Sequence, residues 1–453
     1  MNHKHTIDVQ TFIDSQRFSP FQWAILILCF LIVAADGYDT AAVGFIAPSL
    51  VQEWGVARAA LGPAMSAALV GLGIGALGAG PLADRVGRKT VLVLSVFFFG
   101  LWSLAAAHAS SIESLTALRL MTGLGLGAAM PNAVTLMSEY APTRIRSVVV
   151  NAMFGGFSCG VAIGGLASAW LIPHFGWQSV LMAGGIGPLV LTAALNLLLP
   201  ESAQFMVMRN RGDARIARIL SRIAADKRFA GCRFVTLDAP MEYGESSLRV
   251  VLSSRYRFGT LMLWLAYFMG LLIYYLLTNW MPTLFKDLGF SGQNAALMTS
   301  LFPLGGVLGN LSVGWLMDRF KANRVIACTY VASAVLVMMI GHGLGNQAWL
   351  GTLIFLTGTV VTAGVTSMST LAASFYPTHG RATGVAWMLA AGRFGGVAGA
   401  LVGAVLMDLG WKFGSVFSLL AVPAMIAAFG VYATARLVRI SGVQDSSLRP
   451  AAE

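Results

Sequence analysis

Long apolar runs broken by short polar joints dominate the chain. Twelve stretches carry enough consecutive apolar residues to cross a bilayer core about 30 Å thick, which takes roughly 20 residues of helix. They fall at 21–48, 61–82, 90–108, 115–140, 147–172, 179–199, 258–280, 294–317, 324–343, 349–376, 382–407 and 413–436. Within lipid every backbone amide must be satisfied inside its own segment, so each run predicts a helix. One polar stretch, 200–257, separates the sixth run from the seventh and is read as a solvated linker. Inside it Ala214–Ala225 predicts a short amphipathic helix, with Ile216, Ile219, Leu220 and Ile223 on one face. The expected organisation is a bundle of six helices over 1–199, a linker over 200–257 and a second bundle with a short tail over 258–453.

Composition supports this pattern. Of 453 residues, 57% are hydrophobic and 11% charged, less than half the charged share of an ordinary soluble domain. The 51 glycines suit closely packed membrane helices. A net charge of +11 would suit nucleic acid if it formed a patch, but it does not. With the N-terminus on the cytoplasmic side, 25 of the 30 basic residues fall in cytoplasmic joints, eleven of them within 200–257. Arg58, Lys286 and Lys412 fall outside, and Arg119 and Arg393 lie inside runs. That asymmetry predicts an inner-membrane protein with both termini cytoplasmic and excludes a nucleic-acid partner. The first run is too long for a cleavable signal and is expected to stay. Cys29, Cys159, Cys232 and Cys328 are far apart and read as small hydrophobes rather than a disulfide or metal framework.

The two halves repeat. Gly80-Pro-Leu-Ala-Asp84-Arg85 matches Gly314-Trp-Leu-Met-Asp318-Arg319, Pro142 and Arg146 match Pro377 and Arg381, and Gly176-Trp177 matches Gly410-Trp411, all at an offset of 234 or 235. A duplicated six-helix unit predicts an all-α membrane protein of two pseudo-symmetric bundles that rock to alternate access.

The segment Gly80-Pro-Leu-Ala-Asp84-Arg85-Val-Gly87-Arg88-Lys89 resembles the signature loop of the major facilitator superfamily, and Arg119-x3-Gly123-x3-Gly127 resembles another of its motifs. Asp36-Gly-Tyr-Asp39-Thr, with Phe45-Ile-Ala-Pro-Ser-Leu50 after it, is similar to the aromatic acid:proton symporter family. The start, Ile7-Asp8-Val9 with Phe12-Ile13-Asp14, resembles the hydroxybenzoate and benzoate members. Gly156, Gly160 and Gly164 lack the adjacent Pro typical of drug antiporters, which favours uptake over efflux. The resemblance implies proton-coupled uptake of a small aromatic carboxylate such as 4-hydroxybenzoate or benzoate. It implies no cofactor beyond the coupling protons, and membrane lipid and the substrate as partners of a functional monomer. The same machine with another cargo (a dicarboxylate, an aliphatic acid, a sugar or a drug) is the near alternative. A membrane enzyme or sensor is disfavoured by the two-fold repeat, the gate loop and the lack of a Ser/His/Asp or Cys/His set at one depth, and a nucleotide-driven pump by the lack of a Walker lysine after the Gly-rich run 71–80. A channel is a third class, separated from a carrier by the saturability of flux and its dependence on the proton gradient.

Charged side chains inside spans are costly and usually functional. Asp36 and Asp39, three apart, share one face of the first helix, where burial and mutual repulsion suit a group that takes up and releases a proton. The competing reading is that one of them is a fixed partner of Arg119 in the fourth helix. Arg393 in the eleventh has no carboxylate at its depth in its own half, so it is a candidate for the substrate carboxylate, or for a structural pair with Asp36 or Asp39. Tyr267 and Tyr274 on one face of the seventh helix, Asn132, Phe154, Ser158 and Thr366 are candidate substrate contacts, each also explicable as helix packing. Asp84, Arg85, Gly87 and Arg88, with Gly80, Glu139, Arg144, Arg146, Asp318 and Arg381, read as an inner gate. There Asp84 would pair with the start of the eleventh helix and with Arg144 or Arg146.

Overall fold

The structure is a computed structural model that describes residues 6–440 except 211, 225–228, 230–231, 237–250, 343–345 and 377. Among the described residues, twelve helices are long and apolar enough to cross a membrane. The first six are α2 (Pro20–Trp54), α3 (Leu61–Val86), α4 (Arg88–Ala106), α5 (Ile112–Tyr140), α6 (Arg146–Phe175) and α7 (Gln178–Leu198). Before them stand β1 (Thr6–Asp8) and α1 (Val9–Ser15); after them come α8 (Ala203–Met208), α9 (Asp213–Ile223) and β2 (Arg233–Val235). The second half contributes α10 (Arg257–Asp287), α11 (Gly292–Arg319), α12 (Ala322–His342), α13 (Gln347–Phe375), α14 (Thr378–Asp408) and a last crossing made of α15 (Phe413–Leu419) and α16 (Ala421–Ile440). Each expected span therefore has its helix. The first runs to Trp54, past the end expected at 48, because Pro48 removes only one backbone donor; Gly55, at φ 62°, follows its last residue.

The chain packs as two compact units. Unit 1 comprises Met1–Ala42, Val70–Gly164 and Gln178–Glu242. It includes most of the stretch expected to be a solvated linker, and that stretch is not solvated throughout. Thr6, Ile7 and Asp8 pair in parallel with Arg233, Phe234 and Val235. The Asp8 carboxylate caps α1 by accepting Thr11 N–H at 2.7 Å. Behind this pair α9 buries Ile216, Leu220 and Ile223 in one core with Phe12, Ile13, Phe229 and Phe234. The amphipathic face read from the sequence has a partner, the N-terminal segment.

Unit 2 comprises Val43–Leu69, Gly165–Trp177 and Tyr243–Glu453. Its compactness does not follow the sequence halves. The Trp54 end of α2, the start of α3 and the Phe175 end of α6 pack with helices of the second half. Close approach makes this possible: a Cβ on Gly44 would lie 2.7 Å from the carbonyl oxygen of Thr278. Arg58 Nη1 also meets Asp287 Oδ2 at 2.5 Å, half-exposed on both sides, and Trp177 Nε1 donates to Glu53 Oε2 at 2.8 Å.

Candidate functional site

In unit 1, Asp36 and Asp39 lie on α2 at 3% and 0% exposure. α2 and α6 pack almost backbone to backbone beside them, since a Cβ on Gly160 would fall 1.9 Å from the carbonyl oxygen of Ala34. Asp39 is fully engaged. Arg119 of α5, 1% exposed, donates from Nη1 to Asp39 Oδ2 at 2.8 Å and from Nη2 to the Asp39 carbonyl at 2.9 Å. Ser103 of α4 donates to Asp39 Oδ1 at 2.8 Å. Of the two aspartates, Asp39 is thus the one paired with Arg119. Asp36 receives a neutral donor, the Thr40 hydroxyl, at 3.2 Å. Tyr38 between them turns away and donates to the carbonyl of Val180 at 3.0 Å.

Sequence reasoning missed Ser103. Its signal was there, a hydroxyl inside an otherwise apolar run, but serine in a span usually bonds its own helix. Asn132 behaves in that ordinary way, donating to the carbonyl of Ala128 at 2.8 Å while buried. Phe154 packs on the core of unit 1, and Ser158 is buried in α6.

Unit 2 gathers the aromatic candidates. Tyr267 and Tyr274 are buried on α10, and the Tyr274 ring meets those of Tyr275 and Phe302 at 5.6 and 5.5 Å. Tyr267 lies tight on α14, where a Cβ at Gly392 would be 2.2 Å from its ring. Arg393, next along α14 and half-buried, is the electrostatic neighbour of Tyr267 and has no ion pair among the described residues. Thr366 is exposed; its hydroxyl bonds Asn310 Oδ1 and the carbonyl of Thr362, each at 2.9 Å.

The expected gate residues are partly brought together. Gly87, at φ 108°, turns the chain into α4. The following Arg88 is buried, with Nε 3.4 Å from Glu139 Oε1, Nη1 3.3 Å from the Ala83 carbonyl and its guanidinium 5.1 Å from the Phe205 ring centre. Glu201, not singled out from sequence, accepts Lys89 N–H at 3.1 Å, and its carbonyl accepts the Tyr140 hydroxyl at 2.6 Å. Arg85 is exposed. Gly80 lies within α3, and the side chains of Asp84, Asp318 and Arg381 lie outside the described residues. Arg144 Nη2 donates to the carbonyl of Gln16 at 2.9 Å. Arg146, half-buried, acts on Asp14.

Asp14 joins the N-terminal segment to the α5–α6 connection. It accepts Thr143 N–H at 2.7 Å and the Thr143 hydroxyl at 2.8 Å, and Gln10 Nε2 at 2.9 Å. Burial works to raise its carboxyl, but the Thr143 and Gln10 hydrogen bonds and the Arg146 charge outweigh it and hold the group below the usual carboxylate value. A lowered native value stabilises the docked segment at neutral pH, an effect lost as pH falls through that value. Hydrogen exchange in residues 9–16 is expected to accelerate on acidification, and Asp14→Asn to show the fast rate already at neutral pH. Equal protection in both proteins at neutral pH would contradict this.

The family model of the Major Facilitator Superfamily matches residues 29–284 and 263–452. The chain belongs to that superfamily. It is 52% identical over 425 residues to the 4-hydroxybenzoate transporter PcaK of Pseudomonas aeruginosa, covering 94% of this chain and 95% of the relative. It is 49% identical to the gallate transporter of Pseudomonas putida, over 94% of this chain and 95% of that one. The inward-open xylose transporter XylE of E. coli matches in fold, with a TM-score of 0.71 at 17% identity, over 91% of this chain and 95% of that structure. This superfamily member is thus a multi-pass membrane protein whose close relatives carry aromatic acids and are transporters, not enzymes. The resemblance drawn from the loop at Gly80–Lys89 and from Asp36–Thr40 holds for the family.

Proposed function

We infer that the chain imports a small hydroxylated aromatic carboxylate of the 4-hydroxybenzoate type together with one or more protons, by alternating access across a bacterial-type inner membrane. The carrying observation is the 49–52% identity, over nearly the whole chain, to carriers of two hydroxylated benzoates. Proton coupling draws support from unit 1: with Asp39 held by Arg119, a second buried carboxylate, Asp36, remains on the same helix for proton exchange. Recognition of the anion draws support from unit 2, where Arg393 stands beside Tyr267 without an acidic partner among the described residues. A guanidinium grips both carboxylate oxygens, and tyrosine rings and hydroxyls suit a phenolic ring. Both termini are proposed to be cytoplasmic, following the basic joints, with the monomer as working unit and no cofactor.

Uptake into proteoliposomes tests the reading, with aromatic and aliphatic acids compared under an imposed pH gradient and with a protonophore. Accumulation of 4-hydroxybenzoate that collapses with the protonophore is the expected result; preference for an aliphatic acid would overturn the substrate class. Arg393→Ala is expected to raise KM by roughly 10–100-fold, the worth of a charge-assisted hydrogen bond of about 1.5–3 kcal/mol, while the protein stays folded. An unchanged KM would make Arg393 structural.

A further inference from the structure

α9 has one apolar side and one basic side. Ile216, Leu220 and Ile223 are buried in the core of unit 1 with Phe12, Ile13, Phe229 and Phe234. Arg215, Arg218 and Arg222 are exposed, and none has an ion pair among the described residues. At about 100° per residue the three arginines share one side of the helix, and their seven-residue spread lines about 10 Å of it. Asp213, the acidic residue of α9, falls on the opposite side. Arg222 sets the depth of the basic side. Its guanidinium lies 4.3 Å from the centre of the Phe21 ring. Phe21 is the second residue of the crossing helix α2, and it meets Tyr140, the last residue of the crossing helix α5, edge-on at 6.1 Å. Trp23 on α2, 54% exposed and packed edge-on against Phe18, is the kind of aromatic that sits at headgroup depth. The arginines therefore stand where two apolar helices leave the bilayer. Charge that only set topology would need no fixed geometry, whereas these three are held on a helix anchored in the core.

We propose that Arg215, Arg218 and Arg222 form a docking surface for anionic phospholipid headgroups at the face of the bilayer where α2 begins. Charge and depth identify the partner. The headgroup phosphate is the anion that a bilayer presents at that depth, and a guanidinium fork bonds two of its oxygens. Basic residues beside a membrane helix are drawn to an anionic surface, and the attraction fades beyond a Debye length. Arginine stays charged even where a ring covers one of its faces, as Phe21 does for Arg222. The surface also has something to hold. α9 shares its core with Phe12 and Ile13 of α1, and β1 pairs with β2, so a lipid-bound α9 anchors the N-terminal segment as well.

The test titrates the full-length protein in detergent with phosphatidylglycerol or phosphatidylcholine and counts bound lipid by native mass spectrometry. Wild type is expected to bind phosphatidylglycerol in preference. Each of Arg215→Gln, Arg218→Gln and Arg222→Gln should weaken phosphatidylglycerol binding about fivefold, and the triple variant about 100-fold, with phosphatidylcholine binding unchanged. Arg233→Gln removes an exposed charge from β2 instead of α9 and should leave both affinities nearly unchanged. In nanodiscs, phosphatidylglycerol should slow hydrogen exchange in residues 9–16 of wild type and not in the triple variant. Equal phosphatidylglycerol binding by wild type and triple variant overturns the proposal. An equal loss in Arg233→Gln overturns it too, because net charge would then be the cause. Inorganic phosphate that competes as strongly as a short-chain phosphatidylglycerol would make this a site for free anions and overturn the lipid as partner. Should loss of the Arg222 contact with Phe21 unfold the protein, Arg215→Gln with Arg218→Gln carries the same readouts, with an expected loss of about 25-fold.

Discussion

Arg119→Met is expected to destabilise the transporter by about 3–5 kcal/mol, the cost of leaving one member of a buried ion pair without its partner. The size follows from the surroundings. Asp39 is completely buried, and Arg119 supplies two of the donors it meets, one to Oδ2 and one to its backbone carbonyl. Methionine fills much of the same volume, so the loss reports charge and hydrogen bonds rather than a cavity. Arg119→Lys keeps the charge but not the fork that reaches both oxygens, and should recover only part of the stability. Adding Asp39→Asn to Arg119→Met removes the stranded anion and should restore folding without restoring transport. The readouts are thermal unfolding of the detergent-purified protein and its abundance in membranes. Wild-type stability in Arg119→Met would show that the pair does not hold the helices together.

The twelve crossings were legible because lipid allows the backbone one local solution, and a run of apolar residues announces it. The pairing of Arg119 with one aspartate was legible too, as one of two readings, because so few charges lie within the spans that their partners are few. What escaped was contact between distant segments. Ser103 and Asp39 are 64 residues apart, and nothing in either run says that α4 and α2 bring them within hydrogen-bond distance. The pairing of Thr6–Asp8 with Arg233–Val235 was equally silent, since three-residue strands leave no periodicity. That pairing turns a polar joint into part of a core. Glu201 was passed over because it stands just beyond the sixth span, where polar residues are ordinary. The compact units also cross the sequence halves for a reason no repeat reveals: Gly44 lets α2 settle against Thr278 of α10.

Asp36→Asn is expected to abolish accumulation driven by a pH gradient while leaving the protein folded and able to exchange substrate across the membrane. Asparagine matches the volume of aspartate and can still accept the Thr40 hydroxyl, which lies 3.2 Å from Asp36 Oδ1. It cannot take up or release a proton. A carboxylate at this depth is costly in either protonation state unless its surroundings serve both, which is the property a coupling group needs. Asp39 is already paired with Arg119 and accepts from Ser103. The two substitutions should therefore part company. Asp39→Asn should lower thermal stability and uptake together, whereas Asp36→Asn should separate them, with normal unfolding, retained counterflow of labelled 4-hydroxybenzoate and no response to an imposed gradient. Asp36→Glu, which keeps the titratable group but displaces it by one methylene, should respond to the gradient with reduced rate. Gradient-driven uptake in Asp36→Asn that a protonophore still abolishes would place the coupling group elsewhere in the chain.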